Sequence, residues 1–382
     1  MQIDIKTQAV MQLRQSFSHV ARYIGSDKPA SRYQEATYGL QAETNFHYRP
    51  LWQPELELYD VRRTRLVMKD WYALRDPRQF YYGTYTITRA RQQELMEKNL
   101  EFVDRRGLLR DLPPADSDAL LLAFVPLRHL EWGANTHNCY VTAYGWGTAL
   151  TQATMFHTMD RLGLAQVLSR IGLLLDGSTG ESLARAKTLW LEHPAWQGLR
   201  RVTEKLLVTA DCMEVFFAQN LVLDGLLYPL VYQHVEGRYS AAHGPALSLL
   251  TEFMTQWFDE TSRWVDAVTK TCIAESSANH DLVAGWLAEG FQTKSIPSVE
   301  RTVPNLALRP SSSSLALGFE FENSRIGSRF QSTAPAFNVS DPAGICPKLG
   351  LIMRIGISPH RHEYLFQASY APRRERTHST AF

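Results

Sequence analysis

Histidines and carboxylates at fixed spacing are the first candidates for chemistry in this chain. A carboxylate-bridged di-iron site in a helical bundle needs a Glu-x-x-His pair on each of two helices and a Glu from each of two others. The spacing of three puts both ligands of a pair on one helix face, a turn apart. Of the twelve histidines, one has a glutamate three residues before it, in Glu375-Arg376-Thr377-His378. One pair outside the helical region cannot assemble the site. His129, His137 and His157 fall on helical stretches with no second ligand at metal spacing, and are expected to be capped or partly exposed structural histidines. Asp259-Glu260 reads as an ordinary solvated helix position.

Other signatures fail as well. Gly172 to Thr179 has the glycine spacing of a phosphate-binding loop, but Ser178 stands where the lysine is required and no strand leads in. Gly145-Trp146-Gly147 lacks the third glycine of a dinucleotide fingerprint, and no Gly-x-Ser-x-Gly elbow occurs. The four cysteines, Cys139, Cys212, Cys272 and Cys346, form no Cys-x-x-Cys pair and read as reduced thiols. The residues themselves therefore nominate no catalytic, metal-binding or cofactor-binding side chain.

The elements around these residues are helical. With 382 residues, 45% hydrophobic and 21% charged, the composition is that of a soluble globular protein with a sizeable core. Forty basic and 39 acidic residues nearly cancel, which points to neither nucleic acid nor an anionic membrane. The longest apolar run, Ala119 to Leu127, is interrupted by Pro126 and is far shorter than the roughly 20 residues that span a bilayer. With no signal-peptide core at the N-terminus, a cytoplasmic location is expected.

Apolar periodicity predicts helices over Ile87–Arg106, from Leu120 with Asp116 or Ser117 as cap, and over Leu150–Leu175. It predicts further helices over Glu181–Leu191 capped by Thr179, Trp196–Tyr239 bent at Pro229, and Ala246–Trp286. The expected fold is all-α, a ferritin-like helical bundle over 81–290 with an extended N-terminal arm over 1–80. The arm is rich in Tyr, Trp and Arg, the residue types that anchor interfaces. The interface candidates are Asn45, Phe46, His47, Tyr48, Arg49 and Trp52 in the arm, and Trp71, Phe80, Tyr81, Tyr82 and Tyr85 in the aromatic run that follows, set against the alternative that the arm folds back on its own bundle. Beyond Gly290 the composition breaks: all nine Trp precede it and eight of the 18 Pro follow. Residues 291–382 read as disordered sequence or as the product of a reading-frame shift, which translation of the other frames would test.

Several long blocks carry a resemblance. They are Lys28 to Glu35, Asn45 to Trp52, Asp76 to Gly83, Leu168 to Gly177 and Ala218 to Gly225. In this order they closely resemble the β subunits of bacterial multicomponent phenol hydroxylases, which are soluble di-iron monooxygenases like the toluene and methane monooxygenases. The resemblance covers about residues 1–289.

It implies a di-iron centre in a partner α subunit, whose two helices carry Asp-Glu-x-Arg-His, and no iron on this chain. Asp160 to Leu164 then places Arg161 and Leu164 at the Glu and His positions, and Glu260 to Trp264 places Thr261 and Trp264 there. None of those four side chains ligates iron in place of a carboxylate and an imidazole. The centre is expected to be an ordinary apolar core. The resemblance also implies a γ subunit, a dimer of αβγ protomers, a regulatory protein, and an NADH-fed reductase with FAD and a 2Fe-2S cluster. The reaction implied is phenol to catechol. The alternatives are a toluene-monooxygenase-type β subunit, a free-standing helical binding or scaffold protein, and an autonomous ferritin-like oxidoreductase.

Overall fold

The structure, a computed structural model, describes residues 16–42, 50 and 52–291, together with the paired two-residue strands Ala316–Leu317 and Phe337–Asn338. The expectation for the C-terminal stretch and the candidates Asn45, Phe46, His47, Tyr48 and Arg49 lie outside the described residues, apart from that strand pair. Most of the remainder is helical, as the periodicity predicts over 81–290. Two short helices come first, α1 (Ser18–Ile24) and α2 (Arg32–Thr37). Ser31 opens α2 with a capping box: its hydroxyl accepts from Gln34 N at 3.2 Å while the Gln34 side chain accepts from Ser31 N at 2.8 Å. Between 52 and 81 the chain has two single-turn 3-10 helices and otherwise irregular backbone.

The bundle is built from α3 (Tyr82–Arg105), α4 (Pro114–Phe124), α5 (Leu127–Tyr144), α6 (Thr148–Leu175), α7 (Glu181–Glu192), α8 (Pro194–Leu206), α9 (Cys212–His243), α10 (Ala246–Ala274) and α11 (Ser277–Phe291). Their ends show what sets helix boundaries. Helix α4 starts on Pro114 with no side-chain cap, because proline at the first helical position presets φ and has no N–H to satisfy. Asp116 and Ser117 are thus inside the helix, not before it. His193 closes α7 and opens α8, its Nδ1 accepting from Ala195 N at 3.3 Å. At the start of α7 the side chain that matters most is Asp176, which accepts from Thr179 N (3.1 Å) and Ser182 N (2.8 Å). Thr179 accepts only from Glu181 N, at 3.3 Å.

The long run expected over 196–239 is two helices. Asp211 breaks it by capping α9 through Met213 N (3.0 Å) and Glu214 N (3.1 Å). Within α9, residues 217–223 and 229–235 are π-helical, and Pro229 opens the second of these turns. A π turn absorbs the hydrogen bond that proline cannot donate. This helix is long and apolar enough to cross a membrane, but 67% of its apolar window is buried within the bundle. The helix expected over 246–286 likewise divides, at Glu275-Ser276, where Ser276 Oγ accepts from Asn279 N at 3.1 Å.

Two large apolar clusters make up most of the interior of the described residues. One runs from Leu100 and Phe124 through Leu168 and Leu199 to Leu250 and Trp257; the other joins Leu66 and Leu74 of the arm to Phe216, Trp264 and Trp286. The arm is pinned by polar bonds as well. Asn279 mimics a strand partner, accepting from Val67 N at 3.2 Å and donating to Val67 O at 2.7 Å, while Arg65 pairs with Glu214 at 2.6 Å.

Candidate functional site: an arginine-centred ion cluster

At the middle of the bundle the side chain of Arg161 is 0% exposed. Helix α6 delivers it there because Leu164, Leu168 and Ile171 share its inward face at spacings of three and four. One guanidinium nitrogen, Nη1, donates to Glu131 Oε2 on α5 at 2.8 Å and to the Tyr228 hydroxyl on α9 at 3.1 Å. The other, Nη2, donates to Asp224 Oδ2, also on α9. Tyr228 in turn donates to Glu131 Oε1 at 2.9 Å, and Gln219 Nε2 donates to Asp224 Oδ1 at 2.9 Å. Arg161 Nε donates to His157 Nε2 at 3.2 Å, and the guanidinium carbon lies 4.6 Å from the Trp257 ring centre. Three helices thus converge on one buried cation.

A second cluster abuts the first through Asp160. Arg89 of α3 grips both Asp160 oxygens at 2.8 Å each and reaches Glu260 of α10 at 2.9 Å. Asp160 also accepts from Tyr85 OH at 2.8 Å and Trp257 Nε1 at 2.9 Å. Arg78 binds Asp76 with two bonds of 2.9 Å and lies 3.6 Å from Glu260. Glu260 is therefore a structural counter-ion, whereas Asp259 is exposed, so only one of that acidic pair is the solvated position the sequence suggested.

Burial raises the proton affinity of Glu131 and Asp224, and Arg161 between them opposes that rise. Burial also works against charging Asp160, but Arg89 and the hydrogen bonds from Trp257 and Tyr85 hold it below the ordinary carboxylate value. Arg161 itself is held charged by Asp224 and Glu131 against the penalty of burial. For His157, burial and the adjacent Arg161 depress the pKa far below the usual value. A ring nitrogen that accepts from a guanidinium carries no proton, so the geometry agrees. His137 sits between Gln219 Oε1 (2.8 Å) and the Thr203 carbonyl (3.0 Å). Burial pushes its pKa to about 4, against those two bonds, which favour the protonated ring.

All three histidines singled out in the sequence are buried, at 6%, 1% and 1% exposure for His129, His137 and His157. The expectation of capped or partly exposed histidines is corrected: their helix faces point inward. Leu164 (0%), Thr261 (2%) and Trp264 (0%) do lie in the interior. The expected apolar centre is corrected too, because Arg161 brings a charge and recruits two carboxylates.

The chain covers residues matched to a family described as methane/phenol/alkene hydroxylase, over residues 52–276. It is 51% identical over 287 residues to the phenol 2-monooxygenase oxygenase component DmpL of Pseudomonas sp. strain CF600, covering 75% of this chain and 86% of that one. The chain belongs to the methane/phenol/alkene hydroxylase family. It is 25% identical to the β subunit of the hydroxylase component of the toluene-4-monooxygenase system of Ectopseudomonas mendocina, over 57% of this chain and 67% of that one. The fold matches the crystal structure of xenon-pressurized phenol hydroxylase from Pseudomonas sp. OX1 at 43% identity and a TM-score of 0.69, covering 75% of this chain and 87% of that chain.

Relatives in this hydroxylase family raise the question of iron. The residues at the centre of this bundle do not fit it. A metal ion would need the carboxylate oxygens of Glu131 and Asp224, and the Arg161 guanidinium already engages both. Two like charges cannot share that position. Among the described residues no group of three or more His, Cys, Asp and Glu is arranged to hold a metal.

The interface candidates scatter. Tyr85 stacks on Phe156 at 4.3 Å and is 6% exposed, and Phe80 is 8% exposed, so both serve the chain's own interior. The reason is periodicity: Tyr85 is on the inward face of α3, one turn before Arg89. Trp71 is half-buried and stacks on Trp146 at 6.2 Å. Tyr81 is half-buried, while Trp52 (46%) and Tyr82 (69%) are exposed.

Proposed function

We propose that this chain is the non-catalytic β subunit of the oxygenase component of a multicomponent phenol monooxygenase, acting in the cytoplasm. It would support a separate di-iron α subunit, together with a γ subunit, in a dimer of αβγ protomers. A regulatory protein and an NADH-dependent reductase carrying FAD and a 2Fe-2S cluster would complete the system, and phenol would be converted to catechol on α. The observation that carries this reading is Arg161 fixed between Glu131 and Asp224, a permanent positive charge at the centre of the bundle. The toluene-4-monooxygenase relative named as a β subunit supports the same assignment. The exposed aromatics Trp52 and Tyr82, the half-buried Trp71 and Tyr81, and the segment Asn45 to Arg49 remain candidates for subunit contacts.

Co-expression with the catalytic subunit, followed by size-exclusion and iron quantification, tests the proposal. Iron in the complex but not on the isolated chain, with this chain co-eluting, is the expected result. Stoichiometric iron on the isolated chain would overturn it, as would failure to co-elute.

A further inference from the structure

Helices α3, α6 and α10 leave a cleft of about 300 Å³ between them, and residue spacing on two of the helices accounts for it. On α3, Tyr85, Arg89, Gln92 and Met96 recur at steps of three and four, so one stripe of the helix faces the cleft. On α6, Asp160, Gly163 and Val167 do the same. The gap opens at Gly163. A Cβ built there would meet nothing within 4 Å, so the α6 stripe lacks a side chain where the helices would otherwise close on each other. Met159 and Phe253 of α10 complete the walls.

Two charged side chains line the cleft, Arg89 and Asp160, yet neither offers its charge to a ligand. Every N–H of the Arg89 guanidinium is committed. Nε donates to Asp160 Oδ1 at 2.8 Å, and Nη2 donates to Asp160 Oδ2 at 2.8 Å and to Glu260 Oε1 at 2.9 Å. Nη1 donates to Gln92 Oε1 at 2.7 Å and to Glu260 Oε2 at 3.1 Å. The Asp160 carboxylate accepts those two bonds from Arg89 and one each from Tyr85 and Trp257, which fills its lone-pair positions. A charged ligand would leave water for a cleft with no counter-ion to meet it.

What remains is apolar and polarizable. Met96, Met159, Val167 and Phe253 supply the walls, and methionine sulfur makes favourable contacts with aromatic rings. Gln92 supplies a polar group: Arg89 holds its carbonyl, so its amide N–H groups are the end left to donate to a ligand. Size agrees, because an apolar protein cavity of about 150 Å³ takes up benzene, and a larger one has room for a ring with a substituent. We propose that the cleft between α3, α6 and α10 is a binding site for a small neutral aromatic molecule carrying a hydroxyl group, a simple phenol. Its ring lies among Met96, Met159 and Phe253, and its oxygen accepts from Gln92 Nε2. The site is built from this chain's own residues and does not rest on the β-subunit reading.

Titration of the full chain with para-fluorophenol, followed by fluorine NMR, tests the site. The probe is neutral near pH 7, as a tyrosine side chain is. Para-fluorobenzoate and para-fluorobenzylammonium are charged controls of similar size. Gly163→Leu fills the cleft from α6, and Ala90→Leu, also in its wall, fills it from α3. Leucine is a good helix former, so the thermal midpoints should not fall, and if one variant loses its fold the other carries the test. The expected result is saturable binding of the phenol at one site per chain, with both charged probes at least about tenfold weaker. The phenol itself should bind the folded variants at least about tenfold more weakly than wild type. No saturable binding to wild type, or a charged probe bound as tightly as the phenol, overturns the proposal. Undiminished binding in the filled variants overturns it too, by placing the phenol elsewhere on the chain. None of these outcomes touches the β-subunit reading, which iron quantification and co-elution decide.

Discussion

At the scale of single residues the molecule turns on Arg161. Its side chain and those of Glu131 and Asp224 are all within 2% of full burial, so no water screens them from one another. Replacing Arg161 by Met leaves two carboxylates in the interior without their cation, a loss of about 3–5 kcal/mol in unfolding free energy. Urea unfolding measures it, and the triple variant Arg161→Met, Glu131→Gln, Asp224→Asn should recover most of the loss by removing the stranded charge. A single variant as stable as wild type would mean the cluster does not hold the bundle together. The sequence exposes only half of this cluster. Asp160-Arg161 stands out as a charged pair within an apolar-periodic helix, but Glu131 is 30 residues earlier and Asp224 is 63 later. No local spacing links charges on three helices, and single charged residues such as Glu131 look the same in a sequence whether they face water or the core.

At the scale of elements, helix identity was legible and helix ends were not. A stripe at spacings of three and four needs only the side chains of one helix, so α6 and α10 are visible directly. Breaks such as Asp211 and Ser276 depend on which backbone groups a short polar side chain can reach, and an apolar run continues across them unmarked. Packing between helices is further out of reach. Gly133 is a case in point: a Cβ there would lie 2.3 Å from Thr203 Cγ2 on α8, so the glycine sets how closely α5 and α8 approach. Gly133→Ala should destabilise the chain by about 1–3 kcal/mol as overpacking forces the helices apart. Thr203→Ser removes the obstructing methyl but keeps a hydroxyl able to bond Leu199 O, now at 2.9 Å, and should restore part of the stability in the double variant. Chemical denaturation of the four proteins in this cycle gives the answer, and additive losses would rule out the contact as the cause.

At the scale of the whole molecule, the bundle keeps three buried histidines, His129, His137 and His157, neutral, and that ties its stability to pH. Burial first, and Arg161 second, depress the His157 pKa far below the ordinary value, while burial takes His137 to about 4 and His129 to about 3. In the unfolded chain each takes up a proton near pH 6.5. A folded-state pKa below the unfolded one means the stabilisation is fully present above pH 6.5 and is lost as pH falls towards the folded value. Each histidine then costs about 1.4 kcal/mol per pH unit below 6.5. Glu131 and Asp224, raised by burial, act in the opposite sense, so the informative quantity is a difference between two proteins that share them. His157→Gln retains an oxygen that can accept from Arg161 and removes one titrating ring. Its unfolding free energy, followed from pH 7.5 to about 5, should fall less steeply than that of wild type by about one proton per molecule. Parallel profiles would mean that His157 takes up its proton in the folded bundle, which would require the Arg161 guanidinium to give up its bond to Nε2.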